Sequence, residues 1–262
     1  MSEILESRDA RGVATITLNR PDRHNAFDDA VIAALTEALR RLADDASVRI
    51  VALASTGRSF SAGADLEWMR RMATYSYEAN LADANALAAL MQALDSMPKP
   101  TLALVQGAAF GGGVGLVACC DIVVASERAV FCLSEVKLGL APATISPYVV
   151  RAMGARQARR YFQTAEIFSA AQAQAIGLVH EVVAPEAIAA AAERIIDALL
   201  LGAPGAQAEA KELVTICETG VIGEALIAET ARRIATQRIK PEGREGVGAF
   251  LAKRKPGWQV GS

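Results

Sequence analysis

Polar and apolar residues alternate along Val13-Ala-Thr-Ile-Thr-Leu-Asn19, the two-residue period of a strand with one face in the core, and Ile4 to Ser7 predicts its partner. From Asp28 to Ala43 the period changes. Val31, Ile32, Leu35, Leu39 and Leu42 recur at helical spacing, with Asp28 and Asp29 placed to complement the positive end of the helix dipole. Ile50 to Ala54 is a continuous apolar run of buried-strand type, Ser55 to Gly63 reads as a loop, and Leu66 and Met69 mark a short helix after it. Tyr77 to Met97 predicts a long helix ended by Pro98. Leu102 to Val105 is then a strand, Gly113 to Cys120 a helix and Ile122 to Ala125 a strand.

Strands alternating with helices at this rhythm predict an α/β core with largely parallel pairing. After Pro147 the pattern is helical as far as Phe250, interrupted only by the strand-like Val179-His-Glu-Val-Val183. The chain shows no repeat, low-complexity tract or linker. It reads as a single domain over residues 1–262, with a core to about residue 200 and a helical subregion from about 201 to 262. A helical region of that size either covers the core or builds a subunit interface.

Composition narrows the picture. The 262 residues are 52% hydrophobic and 5% aromatic, so a core can be buried while a base-stacking nucleic-acid surface is unsupported. Twenty-seven basic against 29 acidic side chains leave a net charge of −2, which gives no bulk attraction to nucleic acid or anionic lipid. Cys119, Cys120, Cys132 and Cys217 form no CxxC pair, and His24 and His180 are far apart, so no metal site is expected. The cysteines read as reduced, buried small hydrophobes. The first residues have neither signal-peptide nor transit character, which makes the cytoplasm the expected compartment. Pro100 to Cys120 carries no charge and is long enough to cross a bilayer, but Gly107, Gly111, Gly112, Gly113 and Gly115 break it; it reads as strand, glycine turn and helix.

Two loops offer backbone donors. Gly111-Gly-Gly-Val-Gly115 opens a helix whose first N–H groups lack intrahelical partners, and the helix dipole favours negative charge there. A dinucleotide GxGxxG would need glycine at Leu116, so a single oxygen anion fits better than a phosphate pair; close helix–strand packing is the other reading of the glycines. Ser59-Phe-Ser-Ala-Gly-Ala-Asp65 is the second loop, a helix cap if taken alone. Two N–H groups from the two loops, aimed at one point, would make an oxyanion hole for an enolate. Glu135 lies among apolar residues in Phe131-Cys-Leu-Ser-Glu-Val-Lys-Leu-Gly-Leu140, either as a general acid/base with a raised pKa or as an exposed glutamate at a strand end. Asp121 reads as a capping carboxylate, His24 as a loop residue able to touch a ligand, and His180 as part of a surface strand.

Asn19-Arg-Pro-Asp-Arg-His-Asn-Ala26, Ser61-Ala-Gly-Ala-Asp-Leu66, Gln106-Gly-Ala-Ala-Phe-Gly-Gly-Gly113 and Cys120-Asp-Ile-Val-Val-Ala125 together resemble the enoyl-CoA hydratase/isomerase (crotonase) family. The likeness runs from about Ile4 to Trp258 in the right order and spacing. It implies a spiral of ββα units with a helical C-terminal region that builds homotrimers or dimers of trimers. It also implies an acyl-CoA thioester as substrate, CoA being part of that substrate and no separate cofactor being needed. The N–H groups of Ala64 and Gly112 would hold the thioester oxygen, Ala62, Ala64, Asp65 and Leu66 would lie along the CoA, and the Arg20 to Arg23 stretch would approach its phosphates. Lys253-Arg-Lys255 would reach CoA on a neighbouring subunit, while Glu67 replaces a lysine common in relatives.

Hydratases of the family hold water between two glutamates. The second matches Glu135; the first falls on Gly115. The gap at Gly115 is expected to accommodate water or a β-carbon substituent. One carboxylate alone suits a Δ3,Δ2-enoyl-CoA isomerase, and a catalytically silent acyl-CoA-binding scaffold is a further alternative. The runs Gly111 to Asp121, Leu133 to Pro147 and Arg159 to Glu166 nevertheless resemble the methylglutaconyl-CoA hydratase branch of leucine breakdown. A distal carboxylate on such a substrate would seek an arginine, with Arg151 and Arg159 as candidates or as plain surface charges.

Overall fold

The computed structural model describes residues 2–259. In chain order the elements are β1 (Ile4–Arg8), β2 (Val13–Leu18), α1 (Asp29–Asp44), β3 (Ile50–Ser55), β4 (Ser59–Ser61), α2 (Leu66–Met72), α3 (Tyr77–Asp95), β5 (Thr101–Val105), β6 (Ala108–Phe110), α4 (Gly112–Cys119), β7 (Ile122–Ser126), β8 (Val130–Cys132), α5 (Ser146–Met153), α6 (Ala155–Thr164), β9 (Phe168–Ser169), α7 (Ala170–Ala175), β10 (Glu181–Val183), α8 (Ile188–Leu200), α9 (Pro204–Thr219), α10 (Glu224–Ile239) and α11 (Pro241–Leu251).

The strands form two sheets. The larger has the order β1-β2-β3-β5-β7-β10, parallel throughout except for the antiparallel edge pair β1–β2. The smaller has the order β4-β6-β8-β9, with only β8–β9 antiparallel. Each of the turns β3–β4, β5–β6 and β7–β8 gives a longer strand to the first sheet and a short one to the second. That is the expected ββα spiral. The short strands β4, β6, β8 and β9 are additions to the sequence reading, which has Ser55 to Gly63 as loop and only one strand after Pro147.

The period-2 geometry of a strand sorts the core into two layers. Val13, Ile50, Leu102 and Val124 face α8 and pack with Ile195, Ile196 and Leu200. Their neighbours Ala14, Val51, Ala103 and Val123 point the other way, into the main core with Leu35, Leu39, Leu90 and Val117. Each fully buried branched side chain contributes about 1.5–3 kcal/mol, so α8 alone seals one face of the sheet firmly.

Beyond α8 the character changes: α9 and α10 contain no buried residue and α11 only Ala249. Polar contacts hold this region to the core. Lys211 on α9 donates to Asp121 Oδ2 at 2.9 Å, and the same carboxylate oxygen accepts from Thr101 N and Oγ1, each at 2.8 Å. Asp121 is structural, as its position predicts. Arg49 donates to Gly202 O and Trp258 O, and Trp258 Nε1 to Leu201 O. His180 is exposed just before β10, where its Nδ1 accepts from Val123 N at 3.0 Å. Cys119, Cys120 and Cys132 are buried as expected, but Cys217 is exposed, because α9 turns no face to a core. Among the described residues, no helix is long and apolar enough to cross a membrane and no group of metal-ligating side chains forms.

Candidate functional site

The loop after β2 is shaped by Asn25. Its side chain accepts from Arg20 N and donates to Thr56 O and Ser59 O, which folds the chain back so that Phe27 lies beside residues 63–65. Phe27 N donates to Gly63 O at 2.9 Å and Asp65 N to Phe27 O at 3.0 Å, an isolated parallel bridge centred on Ala64. In such a bridge the middle residue's own N–H points away from the partner strand. The Ala64 N–H accordingly has no acceptor among the described residues.

The second donor comes from the glycine turn. Gly111 has φ +51°, a left-handed conformation that glycine adopts without cost, and it turns β6 sharply into α4. Gly111 N is bound to Cys132 O at 2.9 Å. Gly112 is the first residue of α4, so its N–H has no intrahelical acceptor and faces the site with the positive end of the helix dipole. The glycines serve packing as well. A Cβ on Gly112 would sit 2.4 Å from Phe27 Cζ, and one on Gly113 2.7 Å from Ser61 O. The close-packing reading of the glycine run holds, since Gly112 and Gly113 leave no room for a side chain where the two loops meet.

Ala62, Ala64, Gly112 and Glu135 line one cavity of about 430 Å3. Glu135 opens the 3-10 turn that follows β8, and Lys137 of that turn donates to Ala165 O at 2.8 Å, which fixes the turn to the end of α6. The carboxylate rests against the glycine turn: a Cβ on Gly111 would be 3.2 Å from Glu135 Oε1. Its Oε2 is buried without a hydrogen-bond partner among the described residues. Burial pushes the Glu135 carboxyl above the usual carboxylate range. An exposed glutamate at a strand end is thus excluded. A buried carboxylate oxygen, desolvated and unpartnered, stands ready to take and return a proton.

Gly115 corrects an expectation. A Cβ there would lie 2.4 Å from Ile145 Cγ2 and 3.2 Å from Met91 Sδ. Both neighbours are fully packed, so the place of the first family glutamate is filled by Ile145 rather than left open for water or a substituent. Ile145 also lines the cavity, putting an apolar wall where a second carboxylate would stand.

Arg20 is another correction. It donates to Ala26 O and Asp28 Oδ2 at 3.0 Å and to Asp65 Oδ2 at 3.3 Å, and is largely buried, so its charge is neutralised inside the protein. Asp65 is 4% exposed and caps α2, accepting from Glu67 N and Trp68 N while Arg23 donates to its Oδ2 at 2.9 Å. Although burial pushes its carboxyl up, Arg23 and the two N–H groups outweigh this and hold it below the usual range. The Asp65 side chain therefore holds the loop rather than facing outward. Arg23, Asp65 and Leu66 lie outside the cavity lining, with Arg23 and Leu66 on the surface beside it. Glu67 pairs with Arg70. His24 is half-buried and engaged by Ser59 Oγ at 3.0 Å and Arg58 NH2 at 2.9 Å. In the tail, Arg254 is paired with Glu245.

The distal arginines are elsewhere. Arg151 pairs with Asp95 and Glu218, and Arg159 is exposed on α6; neither lines the cavity. Arg151 belongs instead to a larger cavity of about 520 Å3 at the far end of α4, with Asp121, Lys211, Cys119 and Cys120. There Arg151 and Lys211 are ion-paired, and burial pushes both thiols up, away from the reactive thiolate. The smaller cavity is the chemically equipped one. Sequence reasoning missed Phe27, Ile145, Trp68 and Asp83 in its wall, since no local motif marks them.

A family model described as "Enoyl-CoA hydratase/isomerase" matches residues 8–261. The chain is 34% identical over 244 residues to a putative enoyl-CoA hydratase of Thermus thermophilus, covering 93% of this chain and 96% of that protein. It is 34% identical over 258 residues to the 2,3-dehydroadipyl-CoA hydratase of Escherichia coli, covering 98% of each. Its fold matches the crystal structure of an enoyl-CoA hydratase from Shewanella pealeana with a TM-score of 0.95 and 49% identity, over 98% of this chain and 96% of that one.

Proposed function

We propose that this chain, which belongs to the enoyl-CoA hydratase/isomerase family, adds water across the double bond of a 2-enoyl-CoA. The observation that carries this reading is the unpartnered, buried Glu135 oxygen in the same cavity as two N–H groups without acceptors, those of Ala64 and Gly112. The thioester oxygen accepts from both N–H groups. Glu135 takes a proton from water as the water oxygen bonds to the β-carbon; the π electrons shift to form an enolate whose charge the two donors and the α4 dipole stabilise. Glu135 then returns the proton to the α-carbon. One water is consumed and the carboxylate is regenerated, so a single glutamate suffices for the proton balance.

Mass-resolved product analysis after mixing the protein with crotonyl-CoA is expected to show the gain of one water. The wall formed by Ile145 favours a second reading, a Δ3,Δ2-enoyl-CoA isomerase in which Glu135 removes an α-proton and returns it at the γ-carbon. Conjugation of a 3-enoyl-CoA, with crotonyl-CoA left unchanged, would select that reading. Binding of acyl-CoA with turnover of neither would leave a silent scaffold.

The motif resemblance implies a finer substrate, 3-methylglutaconyl-CoA, and one relative is named for another carboxylated thioester, 2,3-dehydroadipyl-CoA. Its distal carboxylate, however, finds no Arg, Lys or His among the described residues lining the cavity. For the CoA phosphates we propose Arg23, whose side chain pairs with Asp65 and is half exposed.

The last helices support assembly into an oligomer. Ile227, Ile234 and Ile239 on α10 and Val247, Phe250 and Leu251 on α11 are all exposed, with Phe250 81% accessible. Apolar area of this kind marks an interface. We propose trimers, alone or paired, and light scattering is expected to give a mass near three or six times 27.5 kDa. A monomeric mass at micromolar concentration would refute this.

A further inference from the structure

Resting on the hydratase reading above, we infer that Asp83 sets the charge of the acyl group this cavity accepts, admitting neutral chains and turning away those that end in a carboxylate. Asn80, Asp83, Ala84 and Leu87 line the cavity at helical spacing along α3, as does Ala64 from its loop. Asp83 Oδ1 accepts from Trp68 Nε1 at 2.9 Å, and Trp68 is itself 3% exposed, so the indole fixes the carboxylate in place. No cation pairs with Asp83 among the described residues, and the indole N–H leaves its charge uncompensated. The cavity thus contains two carboxylates, Glu135 and Asp83, with no basic side chain in its described lining. The rest of the wall is apolar: Phe27, Met69, Met72, Leu138, Leu140 and Ile145.

An acyl chain with a terminal carboxylate would bring a third negative charge into this partly desolvated space. Like charges several ångströms apart at an effective dielectric constant of about 20 repel strongly enough to cost at least about tenfold in binding. A neutral chain meets only the apolar wall. The residue discriminates by repulsion, and the arginines that could have reversed this lie elsewhere, in ion pairs or on the surface.

The test compares kcat/KM for crotonyl-CoA and 3-methylglutaconyl-CoA in the wild type, in Asp83→Asn and in Trp68→Phe. Wild type is expected to favour crotonyl-CoA by at least about tenfold. Asp83→Asn keeps an acceptor for the indole but removes the charge, and should raise kcat/KM for 3-methylglutaconyl-CoA relative to crotonyl-CoA by about tenfold. Trp68→Phe keeps the charge and should keep the preference, which separates a charge effect from a packing effect. Preference of the wild type for 3-methylglutaconyl-CoA would overturn the inference, as would an unchanged ratio in Asp83→Asn, and either would leave the hydratase reading standing. Water gained by neither substrate in the wild type would defeat the hydratase reading itself.

Discussion

Glu135→Gln is expected to lower turnover of a 2-enoyl-CoA by about 10²–10⁴-fold, the range for loss of a positioned acid/base group. Binding of a saturated acyl-CoA should survive, because the two N–H donors belong to Ala64 and Gly112 and are held by the Phe27 bridge and the Gly111 turn. The pH dependence has a definite sign. Glu135 must start ionised to take a proton from water, and burial raises its pKa, so kcat/KM should fall toward acid through one ionisation above the ordinary glutamate range. Stability carries the same signature in reverse. Between the ordinary and the raised pKa the folded protein binds the proton more tightly than the unfolded chain, and wild-type stability declines as pH rises across that window. Glutamine does not titrate. The melting temperature of the variant relative to wild type should therefore climb as pH rises from the ordinary glutamate range through the raised pKa of Glu135, where the wild type comes to hold a charge on a carboxylate whose Oε2 has no partner. A variant with normal turnover, or a melting difference independent of pH, would remove Glu135 from the role proposed for it.

How much of this could be read beforehand depended on element length. The alternation of Val13 to Leu18 and the helical spacing of Val31 to Leu42 run long enough to declare their periods, and both elements stand where the pattern puts them. The second sheet does not declare itself. Its strands β4, β6 and β8 have three residues each and β9 two, too few for a period, and they are defined by pairing between segments far apart in sequence. Phe60, Phe131 and Phe168 anchor that sheet as fully buried rings, yet in the sequence they are isolated aromatics.

The site divides in the same way. Ala64, Gly112 and Glu135 sit in short motifs whose spacing is itself informative, and the structure brings all three to one cavity. Arg20, Arg23 and Asp65 look alike on paper as polar loop residues facing a ligand. In space Arg20 and Arg23 converge on Asp65 from more than forty positions away, and the pairing turns Arg20 and Asp65 into framework. Charge sign and spacing alone could not separate a cation that waits for phosphate from one already neutralised. Ile145, thirty positions from Gly115, was equally invisible, since an isoleucine before a helix signals only core.

That contact sets the second large effect. Gly115→Glu, the change that would write the missing family glutamate back into the chain, is expected to destabilise the protein by about 1–3 kcal/mol or more and to add no hydratase activity. The reason is steric: even its Cβ would fall 2.4 Å from Ile145 Cγ2 and 3.0 Å from Ile145 Cβ, and Ile145 has no room to withdraw, being 2% exposed. Ile145→Ala alone should also lose stability, by about 2–5 kcal/mol, because it opens a hole beside Met91 and Gly115. Combined, the two changes are complementary in volume. The double variant should be more stable than the sum of the single effects predicts, by about 0.5–3 kcal/mol, the range of coupling between residues in contact. It would also place a second carboxylate in the wall that Ile145 now makes apolar, and hydration of crotonyl-CoA should rise above that of either single variant. Thermal melts of the four proteins and one rate assay decide the matter. If Gly115→Glu melted like the wild type, or the two losses simply added, Ile145 would not be what stands in the place of the first glutamate, and the single-carboxylate chemistry proposed for Glu135 would lose its structural cause.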